Sequence, residues 1–159
     1  MFIITKSQNG NTVVYSANVD GGGNAVADKP CVPFWVMFEN TVVGGKHPRE
    51  ELNMIENNTA YGVKYDRYSQ ARPGCCTCSV ASLSYRTFVV GKGPEGGWMA
   101  QSTVGGKRCE LQHIHMVMAD SWIPRVAYID IYGVDLESGG IVHEKKLRTS
   151  RRRPSANKV

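Results

Sequence analysis

Three of the chain's five cysteines crowd into one short stretch, GCCTC at 74–78, and two histidines follow in LQHIH at 111–115. Structural zinc takes four thiolate or imidazole ligands in tetrahedral geometry, usually as two close pairs separated in sequence. Cys76 and Cys78 form one close pair, while Cys109, His113 and His115 run at C-x3-H-x-H spacing, which on a regular strand puts all three on one face. Two such strands side by side would assemble a Cys2His2 site. Against this, the spacing matches no standard zinc site, and Cys75 and Cys76 diverge as strand neighbours. The favoured reading is a reduced loop, with no metal and no cofactor. The strand-to-helix setting that a thioredoxin-type C-x-x-C redox centre requires is absent as well.

Two other patterns are weaker. GKGPEG (91–96) is a literal G-x-G-x-x-G, but the dinucleotide fingerprint requires the third glycine to open a helix, and WMAQSTV follows in a strand pattern. It reads as a glycine-rich hairpin. Asp130 in VAYIDIYG shares a face with Val126, Tyr128 and Tyr132. This is either a buried acid of functional interest or the solvated face of a strand whose apolar side is Ala127, Ile129 and Ile131, and the second reading is the more ordinary one. Nothing resembles a nucleophile elbow or a nucleophile with an adjacent base.

Charge narrows the field further. The formal net charge is +5, yet the basic side chains Lys145, Lys146, Arg148, Arg151, Arg152, Arg153 and Lys158 sit together at the end of the chain, where no acidic residue occurs. The other twelve basic and all fourteen acidic residues fall within 1–144, so that part carries −2. The basicity therefore belongs to a tail rather than to a field that steers the whole domain toward phosphate. Residues 147–159 are too polar to order themselves by burial, so the expected organisation is a single β-rich domain over 1–146 and a basic tail. Nucleic acid, if bound, would be held through that tail only. No stretch is long and apolar enough to span a bilayer and no secretory leader is visible, which points to the cytosol or nucleus, reduced thiols and no membrane partner.

The elements that must position any site are short β-rich runs set off by Gly, Asn and Pro. Asn9-Gly10 suggests a hairpin pairing Phe2–Lys6 with a strand over 12–19. PFWVMF (33–38) is apolar on both faces and reads as a central strand. Pro48 followed by Glu50 and Glu51 opens the one convincing helix, over about 48–58. Several strands with one helix, and no strand–helix alternation, give a mainly β fold: an antiparallel sandwich or partly closed barrel with one short helix.

NTVVY (11–15), Asp28 and Pro30 ahead of Trp35, LNMIENNTAYGV (52–63) and IPRVAYIDIYGVDLESG (123–139) together resemble the uncharacterised family DUF4833, from the first strand to about Lys146. The CCTC loop and the basic extension depart from that pattern. The family carries no established activity, so the resemblance implies one compact domain and no mechanism. It does direct attention to Trp35, Asn53, Glu56 and Tyr61, a polar pair and two aromatics that would line a ligand pocket or form a structural latch. The preferred expectation is a non-enzymatic small β domain that binds a ligand or protein partner there. The alternatives are polyanion binding or nuclear targeting through Lys145, Lys146, Arg148, Arg151, Arg152 and Arg153, and an enzyme whose site is assembled from distant residues.

Overall fold

The computed structural model describes residues 1–66, 76–123 and 125–147. Eleven strands form one large mixed sheet that does not close into a barrel. They are β1 (Phe2–Lys6), β2 (Asn9–Ala17), β3 (Cys31–Val36), β4 (Arg49–Glu50), β5 (Val63–Asp66), β6 (Thr77–Val80), β7 (Thr87–Lys92), β8 (Trp98–Val104), β9 (Lys107–Met118), β10 (Val126–Asp135) and β11 (Ile141–Leu147).

The sheet forks at β9. One edge of this strand is covered along its length by antiparallel β10, which in turn pairs with β11. Its other edge is shared. Lys107–Glu110 pair antiparallel with β8, and His113–Met116 pair in parallel with Ile3–Lys6 of β1. One arm continues β1-β2-β3-β4 and the other β8-β7-β6-β5. Both arms turn their apolar faces to the same interior. Phe2 stacks on Tyr15 at 4.3 Å and meets Phe88 of the opposite arm edge-on at 5.2 Å. The Tyr15 hydroxyl donates to the Tyr61 carbonyl at 2.6 Å, and the Tyr65 hydroxyl to the Cys31 carbonyl, so hydrogen bonds as well as rings bridge the arms.

A bulge makes this geometry work. Tyr132 pairs with His113 and Gly133 with Leu111, leaving Gln112 as an extra residue in β9. The alternation flips there, so that Cys109 and Leu111 point inward on one side of it and Ile114 and Met116 on the other. The expectation that Cys109, His113 and His115 share a face is thereby corrected. Cys109 is buried in the core, and the two histidines stand on the outer face.

Three further expectations shift. The two-residue turn of the first hairpin is Ser7-Gln8, with Asn9-Gly10 opening β2, and Gly10 has no positive φ. β3 lies one strand in from an edge. Its outer face is covered by the Arg49 guanidinium, 4.8 Å from the Phe34 ring centroid, while Phe38 stands 49% exposed beyond the strand. The helix expected over 48–58 is displaced: Arg49–Glu50 extend to pair with β3, and the helical segment is a π-type turn, Glu56–Ala60. The GKGPEG stretch is the hairpin expected between β7 and β8, closed by the Gly93 N–H to the Gly97 carbonyl at 2.7 Å.

Candidate functional site

The helical turn is fixed by reciprocal bonds. The Glu56 N–H donates to Asn53 Oδ1 at 2.9 Å and the Asn53 N–H to Glu56 Oε2 at 3.1 Å, a capping box that satisfies two donors otherwise left open at a helix start. The same carboxylate oxygen accepts the Trp35 indole N–H at 3.2 Å, and the Trp35 ring packs edge-on to Tyr61 at 5.1 Å. Trp35, Asn53, Glu56 and Tyr61 are thus brought together from β3 and the helical turn. Trp35, Asn53 and Glu56 also line a polar hollow of about 330 Å³ with Lys6, Asn9 and Glu50. The Trp35 indole N–H, Glu56 Oε2 and Asn53 Oδ1 are already engaged within this group.

A larger cleft lies on the far side of Lys6. It has a volume of about 740 Å³ and opens between the free end of the fork and the two helical turns. Met116 and Met118 of β9 and Val126 and Ile129 of β10 form its apolar floor, while Ala60, Tyr61 and Leu83 close one wall. Polar groups enter at the rim: Lys6 and Gln8 from the first hairpin, Ser82 and Tyr85 beside the 3-10 turn Ala81–Leu83, and Lys146 from β11. Lys6 divides cleft from hollow. Its ammonium stands 5.2 Å from the Trp35 ring centroid and 5.5 Å from that of Tyr61, and it lines both spaces.

The outer face of the sheet carries a second cluster. In register across six strands run Phe34, Val14, Ile3, His113, Tyr132 and His143. Tyr132 stacks between the two imidazoles, 5.7 Å from His113 and 4.7 Å from His143. Thr5 Oγ1 lies 2.6 Å from His113 Nε2 and 2.7 Å from His115 Nδ1, and since a hydroxyl has one proton to give, it serves one ring and accepts from the other. Beyond them Asp130 Oδ1 meets His143 Nε2 at 2.8 Å. Asp130 therefore sits on the outer face, hydrogen-bonded to His143, with a side-chain exposure of 13%.

Burial, and then the neighbouring His115, lower the His113 pKa below 6.5. A histidine with a depressed folded pKa favours the unfolded state once the unfolded ring takes up a proton. Its penalty grows as pH falls below about 6.5 and levels off below the folded pKa. The urea midpoint is expected to drop over that interval. His113→Phe, which keeps the stack on Tyr132 and cannot ionise, is expected to flatten the profile relative to His115, His143 and Asp130 left in place. Identical profiles for both proteins would exclude His113 as the source.

The cysteines behave as core side chains. Cys31, Cys78 and Cys109 are buried, and burial pushes the Cys31 thiol up to about 12 and raises Cys78 well above the usual thiol range, the latter with added repulsion from Cys76 and Cys31. Held as thiols, they are poor nucleophiles and poor ligands at neutral pH. Cys75 lies outside the described residues. The two basic residues of β11 part company: the Lys145 ammonium lies 4.0 Å over the Tyr128 ring, whereas Lys146 lines the cleft. Arg148, Arg151, Arg152 and Arg153 lie outside the described residues, and among those described no helix is long and apolar enough to cross a membrane.

Of the sequence-derived candidates, Tyr61 and Lys146 reach the cleft, and the rest of its lining was not singled out. Of its floor residues, the sequence pattern puts Ile129 on an apolar face and Val126 on the opposite face with Asp130. A signal did exist in the methionine pair of HMVM (115–118), where flexible apolar side chains end a long strand.

A forked, mainly β domain with a latched helical turn and an open cleft is the class these features define. The chain belongs to DUF4833, a domain of unknown function whose model matches residues 2–145. Comparison with curated proteins and with solved structures gives no match.

Proposed function

We propose that this is a binding domain that holds a small, largely apolar molecule in the cleft between the two arms of the sheet. The supporting observation is the cleft itself. About 740 Å³ falls within the range of roughly 300–1,000 Å³ typical of ligand pockets, and an apolar floor with a few polar groups at the rim is the usual composition of such sites. The latch fits this reading as a support. Glu56 and Trp35 immobilise the turn that presents Ala60 and Tyr61 to the cleft, so the wall is preorganised before a ligand arrives.

The test is fluorescence titration of the full chain with N-phenyl-1-naphthylamine, a neutral probe that brightens in apolar surroundings. Saturable binding of one probe per chain is expected, with at least a tenfold loss in Val126→Trp, whose indole intrudes on the apolar floor. Absence of saturable binding, or equal binding by a folded Val126→Trp, would sink the proposal.

A further inference from the structure

The polar groups at the rim carry the reading one step further, to the class of ligand, and this step rests on the cleft being the binding site. Lys6 and Lys146 are the charged side chains among the described residues lining it, and no carboxylate is among them. Neither lysine takes part in an ion pair among the described residues. Each is instead held against aromatic rings: Lys6 between Trp35 and Tyr61, and Lys146 with its ammonium 5.9 Å from the Tyr85 ring centroid. An ammonium packed this way has its position fixed while its hydrogen-bonding capacity stays open. By contrast, Lys107, Arg86 and His143 elsewhere in the sheet are each matched to a carboxylate.

We infer that the cleft takes an amphipathic anion: a molecule with a single negatively charged head on an unbranched or aromatic apolar body, the head at the lysine-bearing rim and the body along Met116, Met118, Val126 and Ile129. Lys6 and Lys146 end one row across β1, β9, β10 and β11, with Met116 and Ile129 between them, so an anionic head at either end of that apolar floor meets an ammonium, and charge-assisted bonds of this kind are stronger than neutral ones. A cationic head would face two like charges.

The experiment compares four twelve-carbon probes by calorimetry and native mass spectrometry of the full chain: dodecanoate, dodecyl phosphate, dodecanol and dodecyltrimethylammonium. One or both anions are expected to bind at least tenfold tighter than dodecanol, with the cation weakest, and the better anion tells a carboxylate from a phosphate head. Lys146→Glu is expected to remove the anion's advantage and to favour dodecyltrimethylammonium. Its side chain is at the surface, so the fold tolerates the change, and an unchanged melting curve verifies this. Lys6→Met is expected to reduce the anion-to-alcohol ratio about tenfold.

Equal affinity for dodecanol and the anions, or preferences untouched by Lys146→Glu, would overturn the assignment of ligand class while leaving the cleft as a site for neutral molecules. Failure of all four probes where N-phenyl-1-naphthylamine still binds would overturn it too. Failure of every probe, the naphthylamine included, would remove the cleft reading itself.

Discussion

Alanine at position 62 is expected to destabilise the domain by about 3 kcal/mol or more, the upper range for an overpacked site. A Cβ on Gly62 would stand 1.7 Å from the Asn57 carbonyl oxygen and 2.5 Å from its carbon. Those are backbone atoms, so no side-chain rotation relieves the clash. The backbone is pinned on both sides: the Gly62 N–H and the Tyr61 N–H both reach the Glu56 carbonyl, at 3.3 and 2.8 Å, and the Gly62 carbonyl accepts from the Ala81 N–H at 2.8 Å. Relief would require the π-type turn to open or β5 to withdraw from the 3-10 turn. Either movement carries Tyr61 away from Trp35 and Tyr15. At an unstrained position the same change would stabilise by about 0.4–1 kcal/mol through the unfolded chain, so the sign alone is diagnostic. Urea unfolding decides it, and a neutral or stabilised Gly62→Ala would show that the close approach does not constrain the fold.

The second large effect falls on Tyr15, whose ring is wholly buried and whose hydroxyl crosses between the arms to the Tyr61 carbonyl. Tyr15→Ala removes the ring stacked on Phe2 and leaves a cavity, with an expected cost of about 3–5 kcal/mol. Tyr15→Phe keeps the ring and strands a buried carbonyl, for about 1–3 kcal/mol. Comparing the two separates packing from the bridge. Burial, with lesser contributions from Cys31 and Tyr61, raises the phenol pKa, so the folded state retains a proton that the unfolded chain loses above about pH 10. This contribution is whole below that pH and is lost as pH rises from there through the folded value. Alkaline unfolding at higher pH in Tyr15→Phe than its neutral-pH stability implies is the expected signature. A phenylalanine variant with an unchanged alkaline profile would remove Tyr15 from the account.

Local patterns in the sequence carried the strand content and little of the assembly. Alternation in VAYIDIYG placed Ile129 and Ile131 inside and Asp130 outside, as observed, because a strand's two faces are written at period two. The bulge at Gln112 was invisible, since an extra residue is defined by the partner strand and leaves no mark in the composition of its own. That one residue undid the Cys109, His113 and His115 grouping. Several residues in the blocks of family resemblance take part in the architecture. Asn53, Glu56, Tyr61 and Gly62 build and seat the helical turn. Gly133 sits where a Cβ would come within 2.8 Å of Cys109, and Asp135 accepts from Lys107 at 2.9 Å and Ser138 at 2.7 Å and from the Glu137 N–H at 3.0 Å, all of which hold its carboxyl well below the usual carboxylate range. The cleft escaped notice because its lining comes from six separate places in the chain, each unremarkable alone. Only the fork brings them to one opening.

The parallel pairing of β1 with β9 also sets an order of events as the chain is made. The hairpin of β1 and β2 is synthesised before β9 and can close locally, yet its place in the sheet lies beside residues more than a hundred positions later, as the contact of Thr5 with His113 illustrates. Until β9 emerges, Phe2 and Ile4 have no strand to lie against on that side. The arm β5 to β8 pairs strands that are neighbours in sequence and reaches β9 by a tight turn, so it can assemble without waiting. Non-local pairings of this kind form slowly, because the intervening loop must be closed before the contact repays it. β1, made long before the strand it pairs with, is therefore among the last to be locked, and the exposed edge it leaves meanwhile is where the nascent chain is most open to pairing with a neighbour.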